Sequence, residues 1–209
     1  MPCRIIWSSF VTPILVLVLI IIISCREYRT AASSSLGAAG GELVRHTCRR
    51  AARSNPSLNL DFCVASLEAD PRSSSADLRG LGVIVTHLAE ANATATQKRI
   101  VDLLAEYSSD TGERNRLEDC KDMYSDAFDD LKDAEAGFYS KRYRNANLFL
   151  GGALDNAVDC EDSWQESCFT PSFYQGHKYS SPLTTENYNM EQLCRIGLAI
   201  TAFLSPHFS

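Results

Sequence analysis

The stretch GERNRLEDCKDMYSDAFDDLKDAEAGF, residues 112–138, decides the fold. Its apolar positions are Leu117, Cys120, Tyr124, Ala127, Leu131, Ala134 and Phe138, separated alternately by three and four residues. Side chains at that spacing share one face of a 3.6-residue helix, and the charged residues between them fall on the other. Asp110-Thr111-Gly112-Glu113 precedes the run with the Asp-x-x-Glu pattern of a capping box. The next segment repeats the rule with Ala146, Leu150, Ala153, Ala157, Cys160 and Trp164, and the last repeats it with Met190, Leu193, Gly197, Ile200 and Leu204. Upstream, Ser74-Ser75-Ala76-Asp77 opens a segment with Leu78, Leu81, Ile84, Val85, Leu88 and Ala91 on one face. No stretch sustains an alternation of period two, so a sheet is not expected. The reading is all-α, with an antiparallel four-helix bundle over about residues 75–205.

Working outward, Glu42–Arg53 and Leu58–Glu68 read as two short helices split by Asn55-Pro56, a helical hairpin over about 43–70. Proline stops the first helix and suits the start of the second, and Asp70-Pro71 ends the second before the bundle begins. Helices this short are marginal alone and have to be docked or stapled.

The cysteines supply the staples. Of eight, Cys3 and Cys25 fall in the leader, which leaves Cys48, Cys63, Cys120, Cys160, Cys168 and Cys194. Six cysteines allow 15 pairings. In an antiparallel helical hairpin, residues equidistant from the turn lie opposite each other. Cys48 and Cys63 are centred between Asn55 and Pro56, and Cys120 and Cys160 are centred on Ser140 within Gly137–Arg142, where the long hairpin turns. Those two pairings are expected, and a third bridge, Cys168 to Cys194, would tie the Ser167–Pro182 loop to the last helix, with two free thiols as the alternative. No Cys-x-x-Cys or Cys/His spacing suggests a metal site, and no cofactor is expected.

The N-terminus agrees with this cysteine use. A charged Arg4, an apolar run from Phe10 to Ile23 and the small-residue stretch Thr30–Gly40 make a secretory signal peptide over residues 1–32, with cleavage as late as about 39. A retained membrane anchor is the alternative, since Ile5–Ile23 approaches spanning length. The whole chain has 20 Lys+Arg against 26 Asp+Glu. Removing Arg4, Arg26, Arg29 and Glu27 with the leader leaves 17 basic and 25 acidic residues. An acidic chain lacks the basic face that nucleic acid or an anionic membrane requires. The mature protein is expected to be secreted, disulfide-bonded and detached from the membrane.

The residues now in hand resemble the plant invertase and pectin methylesterase inhibitor family. The likeness runs over about 43–205 through His46-Thr47-Cys48, Asn55-Pro56, Phe62–Leu67, Ala69–Arg72 and Ala76–Leu81. It continues through Leu154-Asp155-Asn156-Ala157-Val158-Asp159-Cys160-Glu161-Asp162, Ser181–Thr184 and Gln192–Ile200. The Ser-Pro-Leu-Thr element is similar to the plane-pollen-allergen branch of invertase inhibitors. The resemblance implies a disulfide-bonded hairpin and bundle, secreted to the cell wall, that forms a one-to-one complex with a carbohydrate-acting enzyme. One branch covers the cleft of pectin methylesterase with bundle helices. Another blocks acid invertase with a Pro-Lys-Phe element, which this sequence lacks. Pectin methylesterase is therefore the favoured target, with acid invertase as the alternative. A non-inhibitory binding or structural protein on the same fold is the alternative of another class. Cys168 and Cys194 depart from the family's four-cysteine pattern, and an ending at Ser209 suits a free inhibitor, monomeric until it meets its target.

Catalysis is not expected. His46, His87, His177 and His207 are scattered, and neither Asp129-Asp130 nor Glu161-Asp162 forms an acid/base pair, because helix neighbours point about 100° apart. Those carboxylates read as solvated faces. Trp164, Tyr124, Phe128 and Phe138 read as core, and Phe138, Tyr139 and Tyr143 as turn aromatics that either cap the core or anchor an interface. Glu113, Arg114, Arg116, Asp119, Asp122, Asp126 and Asp130 decorate one helix and are the candidate partner-binding residues. Asn92-Ala93-Thr94 is an N-glycosylation sequon.

Overall fold

The computed structural model describes residues 41–106, 112–164 and 180–205. The segment expected to be a signal peptide, Asp110, Cys168 and most of the Ser167–Pro182 stretch lie outside the described residues. Every regular element described is helical. Helix α1 covers 41–54 and α2 covers Leu60–Glu68, followed by a 3₁₀ turn at Pro71–Ser75. The long helices are α3 (Leu78–Glu106), α4 (Gly112–Tyr139), α5 (Tyr143–Ser163) and α6 (Thr184–Leu204). Each early boundary has a local cause. The Asn59 side chain accepts from Phe62 N at 3.0 Å to cap α2, and Asp70 accepts from Arg72 N at 2.9 Å to start the 3₁₀ turn. Asp77 accepts from Gly80 N at 2.7 Å at the head of α3.

The four long helices close a ring. Among the described residues, α3 packs on α4, α4 on α5, α5 on α6 and α6 on α3, and only side chains reach across the diagonal between α4 and α6. The seams of α4 and α5 are as the periodicity predicts, with all seven named positions of α4 and all six of α5 buried. On α3 the expectation for Ala91 is corrected, because Ala91 is exposed and Ala89 and Ala93 are buried instead. The buried positions Leu81, Val85, Ala89 and Ala93 advance in steps of four, and that drift carries the seam away from Ala91. Phe128 is only half-buried, whereas Trp164, Tyr124 and Phe138 are core.

Both expected bridges are formed, Cys48–Cys63 and Cys120–Cys160. In the loop-entropy picture they contribute about 3 and about 4 kcal/mol. The first holds α1 to α2, and the hairpin then lies on α6. Phe62 meets Tyr188 edge-to-face with centroids 5.9 Å apart, Asn59 N donates to Gln192 Oε1 at 2.7 Å, and Gln192 Nε2 donates to Ser57 O at 3.1 Å. Arg50 of α1 sits 3.8 Å over the Phe203 ring. The expected third bridge is corrected. Cys194 is a free thiol with no exposed surface, its Sγ 3.7 Å from Met190 Sδ, and burial pushes it up to about 12. The side chain faces the core from α6 and packs there as a small apolar residue.

A polar chain runs from the buried Tyr124 out to the exposed start of α6. The Tyr124 hydroxyl donates to Asn187 Oδ1 at 2.8 Å, and Asn187 Nδ2 donates to Glu161 Oε2 at 2.7 Å. Thr184 Oγ1 donates to Glu161 Oε1 at 2.8 Å. Glu161 is therefore a link between α4, α5 and α6 and not a solvated face, which corrects its reading as such. Its neighbour Asp162 is exposed.

The α4–α5 turn occupies 140–142, where the midpoint of Cys120 and Cys160 places it. Arg142 N donates to Gly137 O at 2.8 Å and Lys141 N to Phe138 O at 3.2 Å, with Lys141 at φ 58°. This is the Schellman arrangement, with a lysine at the left-handed position that glycine normally takes. Replacing Lys141→Gly removes the Cβ clash and is expected to raise stability by about 1 kcal/mol, read from urea denaturation. A loss of stability would show that the lysine side chain holds the turn.

Further along the same seam, Gly152 of α5 lies beneath Asp130 of α4, so close that a Cβ there would sit 2.4 Å from Asp130 Oδ2. Burial, then the charges of Asp126, Asp133 and Asp129, push the Asp130 carboxyl above its ordinary 3.8. The folded state thus disfavours the ionised form, and stability is greatest at low pH and falls as pH rises through the raised value. Asp130→Asn is expected to have a higher Tm than the parent at pH 7, with the difference vanishing at pH 3. Thermal melting followed by circular dichroism at both pH values tests it, and a lower Tm for the variant at pH 7 would overturn the assignment.

Candidate partner-binding surface

Helix α4 carries charge on both flanks, and the bundle treats the flanks differently. The flank toward α3 is paired. Lys132 Nζ meets Glu90 Oε2 at 2.7 Å, Glu135 meets His87, and Arg114 Nε meets Glu118 Oε1 at 3.1 Å. Arg72 Nη1 lies 3.1 Å from His87 Nδ1, and a guanidinium only donates, so Nδ1 accepts and Nε2 carries the proton toward Glu135. Arg72 in turn grips Asp70, Nε to Oδ1 at 3.0 Å and Nη2 to Oδ2 at 2.6 Å, which holds that carboxyl below its ordinary value.

Two of the candidate binding residues belong to folding. Arg114 Nη1 donates to Leu104 O at 2.8 Å, in the last turn of α3, and Arg116 Nε donates to Ser163 O at 2.9 Å, at the end of α5. Each satisfies a carbonyl that its helix leaves open, with a positive charge at the negative end of the dipole. Arg116 also lies 5.8 Å from the Trp164 ring centroid. Glu113 is half-buried in the first turn of α4, where the dipole favours a carboxylate. Asp130 turns toward α5, as described. These four are half-buried, and each has a contact or position within the fold.

The remaining candidates, Asp119, Asp122 and Asp126, are exposed, and the structure adds Asp129 and Asp133 to them. The spacing 3, 4, 3, 4 sets the five carboxylates in one row about 21 Å long. None has an ion-pair or hydrogen-bond partner among the described residues. That periodicity was legible in the sequence, although the same spacing in apolar residues draws the eye first. Asn92 lies in the middle of α3, half-buried, with an Oδ1 that neither solvent nor a partner reaches, and Thr94 Oγ1 donates back to Glu90 O at 2.9 Å. Tyr139 is 62% exposed, while Phe138 beside it is core and Tyr143 packs against Phe138 with ring centroids 6.4 Å apart.

Chemically, this surface offers charge and a rigid helix. Among the described residues there is no cluster of His, Cys, Asp or Glu able to hold a metal, and no helix long and apolar enough to cross a membrane. A row of ionised aspartates on a fixed backbone can steer and orient a basic partner surface.

Comparison with known proteins agrees with the fold. The family model described as plant invertase/pectin methylesterase inhibitor matches residues 42–200. A Platanus orientalis protein named "Putative invertase inhibitor" is 40% identical over 163 residues, which span 78% of this chain and 90% of that one. A pectinesterase inhibitor of Actinidia deliciosa is 35% identical over 150 residues, 72% of this chain and 74% of its own. The crystal structure of a pectin methylesterase inhibitor from Arabidopsis thaliana superposes with a TM-score of 0.52 at 24% identity, covering 70% of this chain and 89% of that one, and at that identity it shows the fold alone. The helical hairpin, the two bridges and the match over most of its length place this chain in the plant invertase/pectin methylesterase inhibitor family, a family of inhibitors and not of enzymes.

Proposed function

We propose that the mature chain, secreted to the cell wall, inhibits pectin methylesterase by forming a one-to-one complex that closes the substrate cleft. The observation that supports this reading most directly is the aspartate row of α4. Within an inhibitor family, five exposed carboxylates left unpaired by folding are a surface for a partner. Like charges in one row destabilise the free helix slightly, so the row is a feature that folding alone does not call for. The missing Pro-Lys-Phe element favours the esterase as target. Acid invertase is the second reading, favoured by the name of the 40% identical Platanus relative.

The two readings separate in one titration. Oxidised protein lacking the signal segment is added to purified plant pectin methylesterase and, in parallel, to acid invertase at cell-wall pH. Stoichiometric loss of esterase activity is the expected result, loss of invertase activity alone establishes the second reading, and loss of neither rejects both. Reversing two charges, Asp122→Lys with Asp126→Lys, is expected to slow association with the inhibited enzyme about tenfold at low ionic strength, with the gap shrinking as salt is added. An association rate that is unchanged by the reversal removes the row from the interface.

A further inference from the structure

A second feature lies away from the aspartate row, on the α3 side of α4. A cavity of about 230 Å³ opens between the 3₁₀ turn, the first two turns of α3 and the end of α4. Its lining is divided by chemistry. Ala76, Gly80, Val83 and Ile84 present carbon only, Tyr139 stands at one side with 62% of its surface exposed, and Arg72 and Arg79 supply the charge.

The two arginines are in different states. Arg72 is already oriented, since Asp70 takes its Nε and Nη2 and His87 Nδ1 lies against its Nη1. Five N–H bonds less three leave one on each terminal nitrogen, and the Asp70 carboxylate largely neutralises the charge. Arg79 is half-buried and has no hydrogen-bond, ion-pair or ring partner among the described residues. An apolar hollow thus carries one uncompensated positive charge together with a pre-set donor and an exposed aromatic wall. Carboxylate is the group a free guanidinium pairs best in two-point fashion, and the carbon lining favours an apolar body behind it. The volume is below the 300 Å³ or so where drug-sized sites begin, which limits the body to about one ring.

We propose that this cavity binds a small organic monocarboxylate with an apolar body, such as an aryl-alkyl acid. The carboxylate pairs with Arg79 and takes a further hydrogen bond from Arg72, while the ring lies on Val83 and Ile84 beside Tyr139. No bond is made or broken, and the site is separate from the aspartate row that serves the inhibitor reading.

Phenylacetate is the probe. Titrated into the oxidised, ¹⁵N-labelled protein, it is expected to give saturable amide shifts at Arg79, Gly80, Val83 and Tyr139, with a Kd on the order of 1 mM. Phenethyl alcohol, which lacks the charge, and galacturonate, which lacks the apolar body, are each expected to bind at least tenfold more weakly. Arg79→Gln and Tyr139→Ala, with helicity and melting checked against the parent, are expected to weaken phenylacetate at least fivefold. Absence of saturable shifts at the cavity overturns the proposal. So does equal binding of either control ligand, or parent-like affinity in both variants.

Discussion

The contact on which the rest of this structure depends is the seam between α4 and α5. It is closed at one end by the turn at 140–142 and near the other by Cys120–Cys160. Small residues let the helices approach. A Cβ on Gly137 would lie 2.9 Å from Ala146 N, and Ala127, Ala134, Ala153 and Ala157 are further small residues buried in the core. Once α4 and α5 are locked, Glu161 is placed to receive Asn187 and Thr184, and Asn187 receives the Tyr124 hydroxyl, so α6 is aligned by hydrogen bonds as well as by packing. Burial pushes the Tyr124 hydroxyl far above its ordinary value, so this link donates at any physiological pH. The hairpin comes last in the hierarchy, since it leans on Tyr188, Gln192 and Phe203 of a helix the seam has already positioned.

How far the sequence could be read follows from the range of each interaction. The helices of the bundle and the two bridges were legible because both rest on local arithmetic, the alternation of three and four and the equal distance of paired cysteines from a turn. The part that Arg114 and Arg116 play in closing helix ends was not legible, because their partners, Leu104 O and Ser163 O, are main-chain atoms of other helices' ends, which no side-chain pattern advertises. Glu161 failed in the same way, since its three-helix linkage depends on α6 arriving beside it. Ala91 failed for a geometric reason: a buried stripe that advances by fours rotates about 40° at each step, and a face drawn from the first turns of α3 no longer applies two turns later. Cys194 shows the limit of cysteine arithmetic, because an even count suggests pairing while a thiol packed on Met190 behaves as a small apolar core residue.

The division of labour on α4 is an energetic one. Its α3-facing charges are partnered within the protein, so their mutation would leave a neighbour unpaired and be felt in stability. The aspartate row faces outward without partners, so changes there leave folding nearly untouched and alter only what approaches the surface. Asp130 marks the border between the two. It lies one residue beyond Asp129, yet the turn of the helix rotates it over Gly152, where partial burial and three neighbouring carboxylates oppose its ionisation. A single step along the helix thus converts a surface charge into a seam residue.

That arrangement bears on how a small inhibitor could bind firmly. Association loses translational freedom and, for flexible loops, conformational entropy as well. A row of charges on a helix already fixed by a disulfide and a buried seam pays little of the second term, because the backbone that carries Asp119 to Asp133 does not have to be ordered on contact. The same rigidity holds the row's spacing along the helix axis at roughly 4.5 and 6 Å in alternation, set by the helix rise. In the proposed complex a partner surface would have to match that spacing with basic groups, so the row would select as well as attract. Under that proposal the disulfide and the seam serve binding by holding α4 in place, and the length of the exposed row sets the length of the surface it would read.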